Sequence, residues 1–358
     1  MQVHSIDITD LLKVSRSQPL FDVRSPSEFR HAHIPGSINI PLFTDEERAV
    51  IGTLYKQKGR QEAVLRGLDF FGPKMKSLIH QVDSAINIQE IGSLPESPMV
   101  LHCWRGGMRS ASVAWLMNLY GFQVSTLQGG YKNFRKWVID YLTQPFPFKI
   151  LGGYTGSLKT RILRCMREKT LSRVLDLEDL ASHRGSAFGG YGLPEQPSQE
   201  MFENLVAYEI HRQLSSDGEI NQTKGASAIW IEDESQRIGR VNIPIALWNH
   251  MRTRPVYFLD LPFQERLENI IMEYGRIERD LLIGSIDRIS KRLGGLEANT
   301  CRNLLMEGDI RGAFSILLKY YDKTYDKALK NRPESKEIIR ISISGKSAEE
   351  VADMLLNI

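Results

Sequence analysis

Cysteine is scarce in this chain, with three in 358 residues, at positions 103, 165 and 301. An odd number spaced so far apart argues against a disulfide framework and a clustered zinc site, so a reducing cytoplasm is the expected setting. Long apolar runs are missing as well. None approaches the roughly 20 residues that a membrane-spanning helix needs. The opening Met1-Gln2-Val3-His4-Ser5-Ile6-Asp7 has neither the basic nor the apolar region of a secretory leader. A soluble, internal protein without a membrane partner is therefore expected. Charge of one sign is also lacking, because 46 Lys and Arg stand against 43 Asp and Glu for a net +3. Residues 1–145 hold 16 of those cations and 13 of the anions, which leaves the remainder balanced.

Net charge thus names no partner, and local clusters have to be read instead. Lys159, Arg161, Arg164, Arg167, Lys169 and Arg173 crowd one stretch, and Arg237, Arg240, Arg252 and Arg254 another. A solvated helix face and contact with a phosphate backbone are both compatible with such runs. The length is large for one core, so two domains are expected. The boundary falls at Thr143-Gln144-Pro145-Phe146-Pro147-Phe148, where two prolines interrupt helix and sheet after an expected helix Tyr131 to Leu142. The domains are then 1–144 and 145–358.

Within the first domain, Met99-Val100-Leu101-His102-Cys103-Trp104-Arg105-Gly106-Gly107-Met108-Arg109-Ser110 ends an apolar run in a cysteine followed by glycines and arginines. A buried strand, a tight loop and a helix from Ser110 to Tyr120 would aim loop N–H groups and a helix dipole at the sulfur. That setting lowers a thiol's pKa and stabilises an incoming anion. A core cysteine is the blander alternative, and the flanking Arg105 and Arg109 argue against it.

The segments around this loop resemble the rhodanese family of sulfurtransferases. Phe21-Asp22-Val23-Arg24-Ser25-Pro26-Ser27-Glu28-Phe29 and His33-Ile34-Pro35-Gly36-Ser37-Ile38-Asn39-Ile40-Pro41 match its early signature. Leu127-Gln128-Gly129-Gly130-Tyr131 matches its last strand and turn, and Ala32 departs from the glycine usual before that histidine. The resemblance implies that Cys103 accepts a chalcogen. Its thiolate would attack the sulfur or selenium of an anionic donor to give a persulfide-type bond, with Trp104, Arg105, Gly106, Gly107, Met108 and Arg109 forming the donor loop.

The second domain opens with Lys149-Ile150-Leu151, an expected strand, followed by Gly152-Gly153-Tyr154-Thr155-Gly156-Ser157-Leu158-Lys159-Thr160 and a helical pattern from Arg161 to Lys169. These are the parts of a phosphate-binding P-loop, with Gly153, Tyr154, Thr155, Gly156, Ser157, Lys159 and Thr160 as phosphate-binding residues. Leu158 stands where the motif has its second glycine, which weakens the expectation of nucleotide hydrolysis more than that of phosphate binding. Further strands are expected at Val174 to Leu177, Ala228 to Ile231, Val256 to Asp260 and Ile338 to Ile341. Their alternation with helices predicts a mainly parallel sheet. Glu232-Asp233-Glu234-Ser235 ends one strand like an acid cluster for magnesium, with Thr160 and Asp233 as the candidate ligands. Asp176 to Gly190 carries His183, Arg184 and Ser186 among small residues and is a candidate loop over a phosphate ligand, although His183 fits a packed structural role equally well.

Taken in this order, the rhodanese segments, the P-loop, His183-Arg184-Gly185-Ser186-Ala187-Phe188-Gly189 and Glu232-Asp233-Glu234-Ser235-Gln236-Arg237-Ile238-Gly239 resemble the bacterial tRNA 2-selenouridine synthases over almost the whole chain. The resemblance implies an α/β protein, a rhodanese-like domain followed by a P-loop NTPase-like domain with C-terminal helices. It implies a transferase acting on the wobble 2-thiouridine of tRNA, with selenophosphate as selenium donor and geranyl diphosphate as the alkylating substrate. A selenophosphate-producing enzyme would be a partner. The P-loop would then hold the prenyl diphosphate, with ATP or GTP and Mg²⁺ left open, and Trp104 or Tyr154 is a candidate wall for the isoprenoid. Alternatives are a plain sulfurtransferase, a cysteine phosphatase reading Cys103-x5-Arg109, and a non-catalytic RNA- or phosphate-binding protein. Phe263 to Glu273 and Arg311 to Leu329 are expected helices in which the tyrosines pack rather than stack on bases.

Overall fold

Met99-Val100-Leu101-His102 is buried along its whole length, as a strand must be when a parallel sheet is covered on both faces. It lies in a computed structural model that describes residues 3–15, 17–86, 98–169, 173–186, 188–215, 228–332 and 337–358. Ala187, part of the small-residue segment read above, lies outside the described residues. The chain divides into two compact units, the first Met1–Tyr141 with Glu203–Leu205 and the second the remainder from Leu142.

The first unit runs β1 (His4–Ile6), α1 (Ile8–Val14), β2 (Leu20–Asp22), α2 (Pro26–His31), β3 (Ile38–Asn39), α3 (Asp45–Lys58), α4 (Arg60–Ala85), β4 (Met99–His102), α5 (Met108–Tyr120), β5 (Val124–Leu127) and α6 (Gly130–Tyr141). Its sheet is ordered β1-β5-β4-β2-β3 and every pairing is parallel. Phe21, Leu101, Val113, Met117 and Val124 belong to one core beneath the central strand β4. The helices α3 and α4 form a hairpin that no motif announced. Thr44 and Glu47 cap α3 reciprocally, and Gly59, at φ +90°, makes the turn into α4.

The second unit runs β6 (Phe148–Gly153), α7 (Lys159–Lys169), β7 (Arg173–Leu175), α8 (Leu177–Leu180), α9 (Gln199–Leu214), β8 (Ile229–Glu232), β9 (Arg237–Ile238), β10 (Val241–Asn242), α10 (Ile245–Arg252), β11 (Val256–Asp260), α11 (Phe263–Tyr274), α12 (Arg279–Leu293), α13 (Gly295–Glu307), α14 (Ile310–Lys330), β12 (Ile338–Ser342) and α15 (Ala348–Leu356). The main sheet is ordered β12-β11-β6-β8-β7, again parallel throughout, with β6 at its centre. The α/β class and the parallel sheets are as the sequence predicts. One boundary moves: Leu177, expected to end a strand, opens α8 because the Asp176 side chain accepts from the Asp179 N–H and caps the helix.

Four helices, α11 to α14, build a separate apolar cluster. Leu282, Ile286, Ile289 and Leu293 recur at the spacing of one helix face and pack with Leu267, Cys301, Phe314 and Leu317. Cys301 is thus a core residue, and all three cysteines are free thiols. The basic run that opens the second unit is largely absorbed by structure. Lys169 pairs with Asp353 at 2.7 Å and Arg161 with Glu349 at 3.5 Å, which fastens α7 to α15. The other basic cluster is absorbed likewise: Arg254 donates to the Phe146 carbonyl, Arg252 to the Ala328 carbonyl, Arg237 to the Gly239 carbonyl, and Arg240 pairs with Glu195.

Candidate active site: a thiolate loop and a phosphate loop

Cys103 follows the last residue of β4 and is buried, with the loop Trp104 to Gly107 leading into α5. Gly106 holds φ +60°, and a Cβ there would lie 2.4 Å from the Leu127 carbonyl oxygen. Gly130, at φ +58°, is as constrained, since its Cβ would meet the Cys103 carbonyl oxygen at 2.2 Å. The Gly-Gly-Tyr turn therefore lies directly against the cysteine loop. Tyr131 N–H donates to the Cys103 carbonyl and Lys132 N–H to the Trp104 carbonyl, both at 2.9 Å, so these carbonyls are held away from the sulfur.

Ser110 Oγ lies 3.3 Å from Cys103 Sγ and donates to it. Burial alone would raise the thiol. The Ser110 hydroxyl and N–H, the Arg109 charge and the Arg105 N–H together hold it below the usual thiol range. Arg109 is itself gripped by Glu28, Nη1 to Oε2 at 2.9 Å. Against the effect of burial, the Arg109 charge and hydrogen bond, the Ser25 N–H and the Arg48 charge keep Glu28 ionised below the usual carboxylate range. This explains the early signature physically. Asp22 and Arg24 form a fully buried pair, with Arg24 Nε 2.9 Å from Asp22 Oδ2, Arg24 Nη2 donates to the Ala32 carbonyl at 2.8 Å, and Glu28 at the end of the segment positions Arg109. Ala32 is accommodated because its backbone is extended, at φ −167°, a conformation any residue adopts. Trp104 and Met108 are more than a third exposed and form the rim, while Arg105 faces solvent.

The second loop joins β6 to α7. Gly153 and Gly156 sit at φ +149° and +83°, and Leu158 at φ +61°. The leucine thus holds the left-handed backbone that the missing glycine would supply, at a cost of about 1–3 kcal/mol. Its side chain packs beside a cavity of about 210 Å³ lined by Ile162, Leu261, Ile343 and Val351. Loop carbonyls are tied outward: Asn269 Nδ2 donates to Gly156 O at 2.9 Å and Arg266 Nη1 to Thr155 O at 3.2 Å. Arg266 is buried and held by a bidentate pair with Asp322 of α14, both contacts at 2.8 Å. Tyr325, expected to pack, and Tyr154, expected at the phosphate loop, both bond: Tyr325 takes the Gly153 N–H, and Tyr154 OH donates to Asp326. The free N–H groups of the first turn of α7 complete an anion-binding cradle.

Lys159 Nζ turns to the Gly153 carbonyl at 2.9 Å and lies 3.5 Å from Glu232 Oε1. Thr160 Oγ1 lies 3.1 Å from Glu232 Oε2 and 3.4 Å from Glu178 Oε2. Glu178, Glu232 and Glu234 bring one carboxylate oxygen each within 4.8 Å of one another. Burial and the charge of Glu232 push Glu178 up to about 9. Burial raises Glu232 despite Lys159, and burial with the charges of Glu232 and Glu178 raises Glu234. Hard oxygen donors crowded beside a hydroxyl suit a divalent cation such as Mg²⁺, which would relieve their repulsion.

Thr160 stands where the sequence puts a metal ligand, but Asp233 does not. Asp233 takes the Tyr325 hydroxyl at 2.7 Å and an ion pair from Arg332, so its neighbours Glu232 and Glu234, with Glu178, form the cluster. Strand alternation was the available signal, because successive residues leave β8 on opposite sides. The candidate cover loop is organised internally. Arg184 pairs with Glu273 at 3.3 Å, Ser186 Oγ accepts the Phe188 N–H, and His183 is packed against Gly189 and Gly239. Gly185 is the residue that reaches the carboxylates, since a Cβ there would lie 2.9 Å from Glu178 Oε1 and 3.0 Å from Glu234 Oε2.

Residues 146–357 match the family described as tRNA 2-selenouridine synthase AAA domain, and residues 7–136 match the rhodanese-like domain. The chain belongs to the tRNA 2-selenouridine synthase family. A family member so named from Hydrogenovibrio crunogenus is 35% identical over 87% of this chain and 90% of its own length. One from Marinobacter nauticus is 34% identical over 86% of this chain and 87% of its own. A third, from Nitrosomonas europaea, is 35% identical over 72% of this chain and 63% of its own.

Proposed function

We propose that this protein is a tRNA 2-selenouridine synthase that works in two half-reactions, one at each loop. At the P-loop, geranyl diphosphate is attacked at C1 by the thiocarbonyl sulfur of a wobble 2-thiouridine. A sulfur–carbon bond forms, the carbon–oxygen bond breaks and diphosphate leaves. At the Cys103 loop, selenium from selenophosphate replaces the alkylated sulfur. The net change consumes the geranylated base, selenophosphate and water and yields 2-selenouridine, geranylthiol and phosphate. Alkylation matters because it turns a poor leaving group into a thiol.

The observation that carries this reading is the P-loop itself. Leu158 keeps the left-handed backbone, so an anion cradle persists without the glycine of the nucleotide-binding motif. Lys159 neutralises the diphosphate, and the amides of the first turn of α7 bind its oxygens. Thr160, Glu178, Glu232 and Glu234 are the residues that would hold Mg²⁺, whose chemistry there is charge neutralisation of the leaving diphosphate. In the other loop, Arg105, Arg109 and the backbone amides attract the anionic donor and hold it beside the Cys103 thiolate. The substrate is tRNA, and an enzyme that makes selenophosphate supplies the donor. Among the described residues no helix is long and apolar enough to cross a membrane, and the cytoplasm is the setting this reading requires.

Lys159→Ala tests it with plain and pre-geranylated 2-thiouridine tRNA, read by nucleoside mass spectrometry. The variant is expected to leave plain tRNA ungeranylated yet to convert the geranylated tRNA to 2-selenouridine. Normal prenylation by Lys159→Ala, or loss of ATP hydrolysis alone, would replace the diphosphate reading with a nucleotide-driven one.

A further inference from the structure

The two basic clusters that stand out in the sequence are largely spent on structure, whereas exposed cations around the Cys103 loop form no ion pair among the described residues. Lys56 and Lys58 end α3, Gly59 makes the turn, and Arg60 opens α4; all are exposed. Among the described residues none of the three forms an ion pair, and Glu62 is the one carboxylate between residues 52 and 68. Arg60 Nη2 lies 3.6 Å from Met108 Sδ, which sets this turn beside the Cys103 loop. Around the same loop, Arg105 and Lys132 are exposed and also without an ion pair, with Lys132 N–H on the Trp104 carbonyl.

Helix stabilisation accounts for only part of this. Lysines at the C-terminus of α3 oppose its dipole favourably, but Arg60 at the first position of α4 stands at the end where a cation is disfavoured. A small anionic donor does not account for it either, because five cations on α3, α4, the cysteine loop and α6 extend over more surface than one phosphate-sized ion occupies. Phosphates repeated along a strand would match such a spread. Trp104, 37% exposed on the same rim, offers a ring face to an unstacked base.

We propose that the α3–α4 turn and the cations at the mouth of the Cys103 loop form the surface on which an RNA strand lies while its modified base is presented to Cys103. This rests on tRNA being the substrate. The test compares full-length wild type with Lys56→Gln/Lys58→Gln/Arg60→Gln for binding of 2-thiouridine tRNA between about 50 and 200 mM salt. The triple variant is expected to bind at least about tenfold more weakly, with a salt dependence shallower by about two to three in log–log slope. Its melting temperature and its rate of Cys103 alkylation by iodoacetamide should match wild type. Wild-type affinity and slope in the triple variant would overturn the surface. A wild-type protein that binds no tRNA would instead overturn the reading of the substrate.

Discussion

The two loops occupy the same place in two sheets. Each joins the C-terminal end of a central parallel strand to a helix, β4 to α5 and β6 to α7, where open α/β sheets put their ligands. Their electrostatics differ. Beside Cys103 the supporting contacts are in place: Ser110 and Arg109 support the thiolate, and Glu28 supports Arg109, while Arg105 and Lys132 on the rim stay without an ion pair among the described residues. Around Thr160, three carboxylates, those of Glu178 and Glu232 buried and that of Glu234 half-buried, face one lysine. The first loop holds a buried thiol among groups that favour its anionic form, and the second crowds three carboxylates around a hydroxyl and a lysine.

Removing the nucleophile breaks the comparison most severely. Cys103→Ala is expected to abolish selenium transfer to tRNA, with tRNA affinity and melting temperature close to wild type; 2-selenouridine formed by the variant would remove Cys103 from the chemistry. Next comes the acid cluster. Adding Mg²⁺ at about 100 times its dissociation constant should stabilise wild type by about 2.7 kcal/mol. Glu232→Gln should melt higher than wild type without metal, because the penalty of burying that carboxylate is removed, and should gain little when Mg²⁺ is added. Thermal unfolding with and without Mg²⁺ checks both signs.

A smaller effect is expected in the pH profile of the thiol. Alkylation at Cys103 follows the thiolate, so its rate should reach half-maximum below the pH of about 8.5 typical of a free cysteine. Ser110→Ala removes a hydrogen bond to the charged form and should move that midpoint upward, slowing alkylation near neutral pH by about tenfold. A midpoint unmoved by Ser110→Ala would show that burial, Arg109 and the loop N–H groups set the thiol without the hydroxyl. The smallest effect concerns Leu158. Leu158→Ala keeps the left-handed strain and loses packing, whereas Leu158→Gly loses packing and relieves strain. The glycine variant should therefore be the more stable of the two by about 1 kcal/mol in denaturant unfolding; the reverse order would mean that the backbone is not strained there.

What was legible in the sequence was local. The Cys103 loop, the P-loop, the strands flanking them and the parallel α/β class follow from runs of a few residues whose spacing and glycines dictate conformation. The partial match at Leu158 was legible too, but its consequence was not, because φ depends on the anchoring of Gly156 and Thr155 by Asn269 and Arg266. The α3–α4 hairpin escaped notice since its surface is polar and carries no motif. The tyrosines of α14 were rightly read as packing residues, yet the hydrogen bond from Tyr325 to Asp233 took that carboxylate out of the acid cluster.

The sequence by itself determined where the two loops lie: which cysteine follows the central strand of the first unit, which lysine and threonine follow the glycines of the second, and that two parallel-sheet units succeed one another. Those outcomes need only short-range sterics and apolar periodicity. Tertiary structure decided who neutralises whom. Glu28 meets Arg109 across 81 positions, Asp233 meets Tyr325 across 92, and Thr160 meets Glu232 across 72. Charge pairing depends on distance in space, which residue spacing does not encode once the chain has turned back on itself. For that reason cations of the same kind yielded a helix clasp on α7 and an exposed, unpaired group at the turn between α3 and α4.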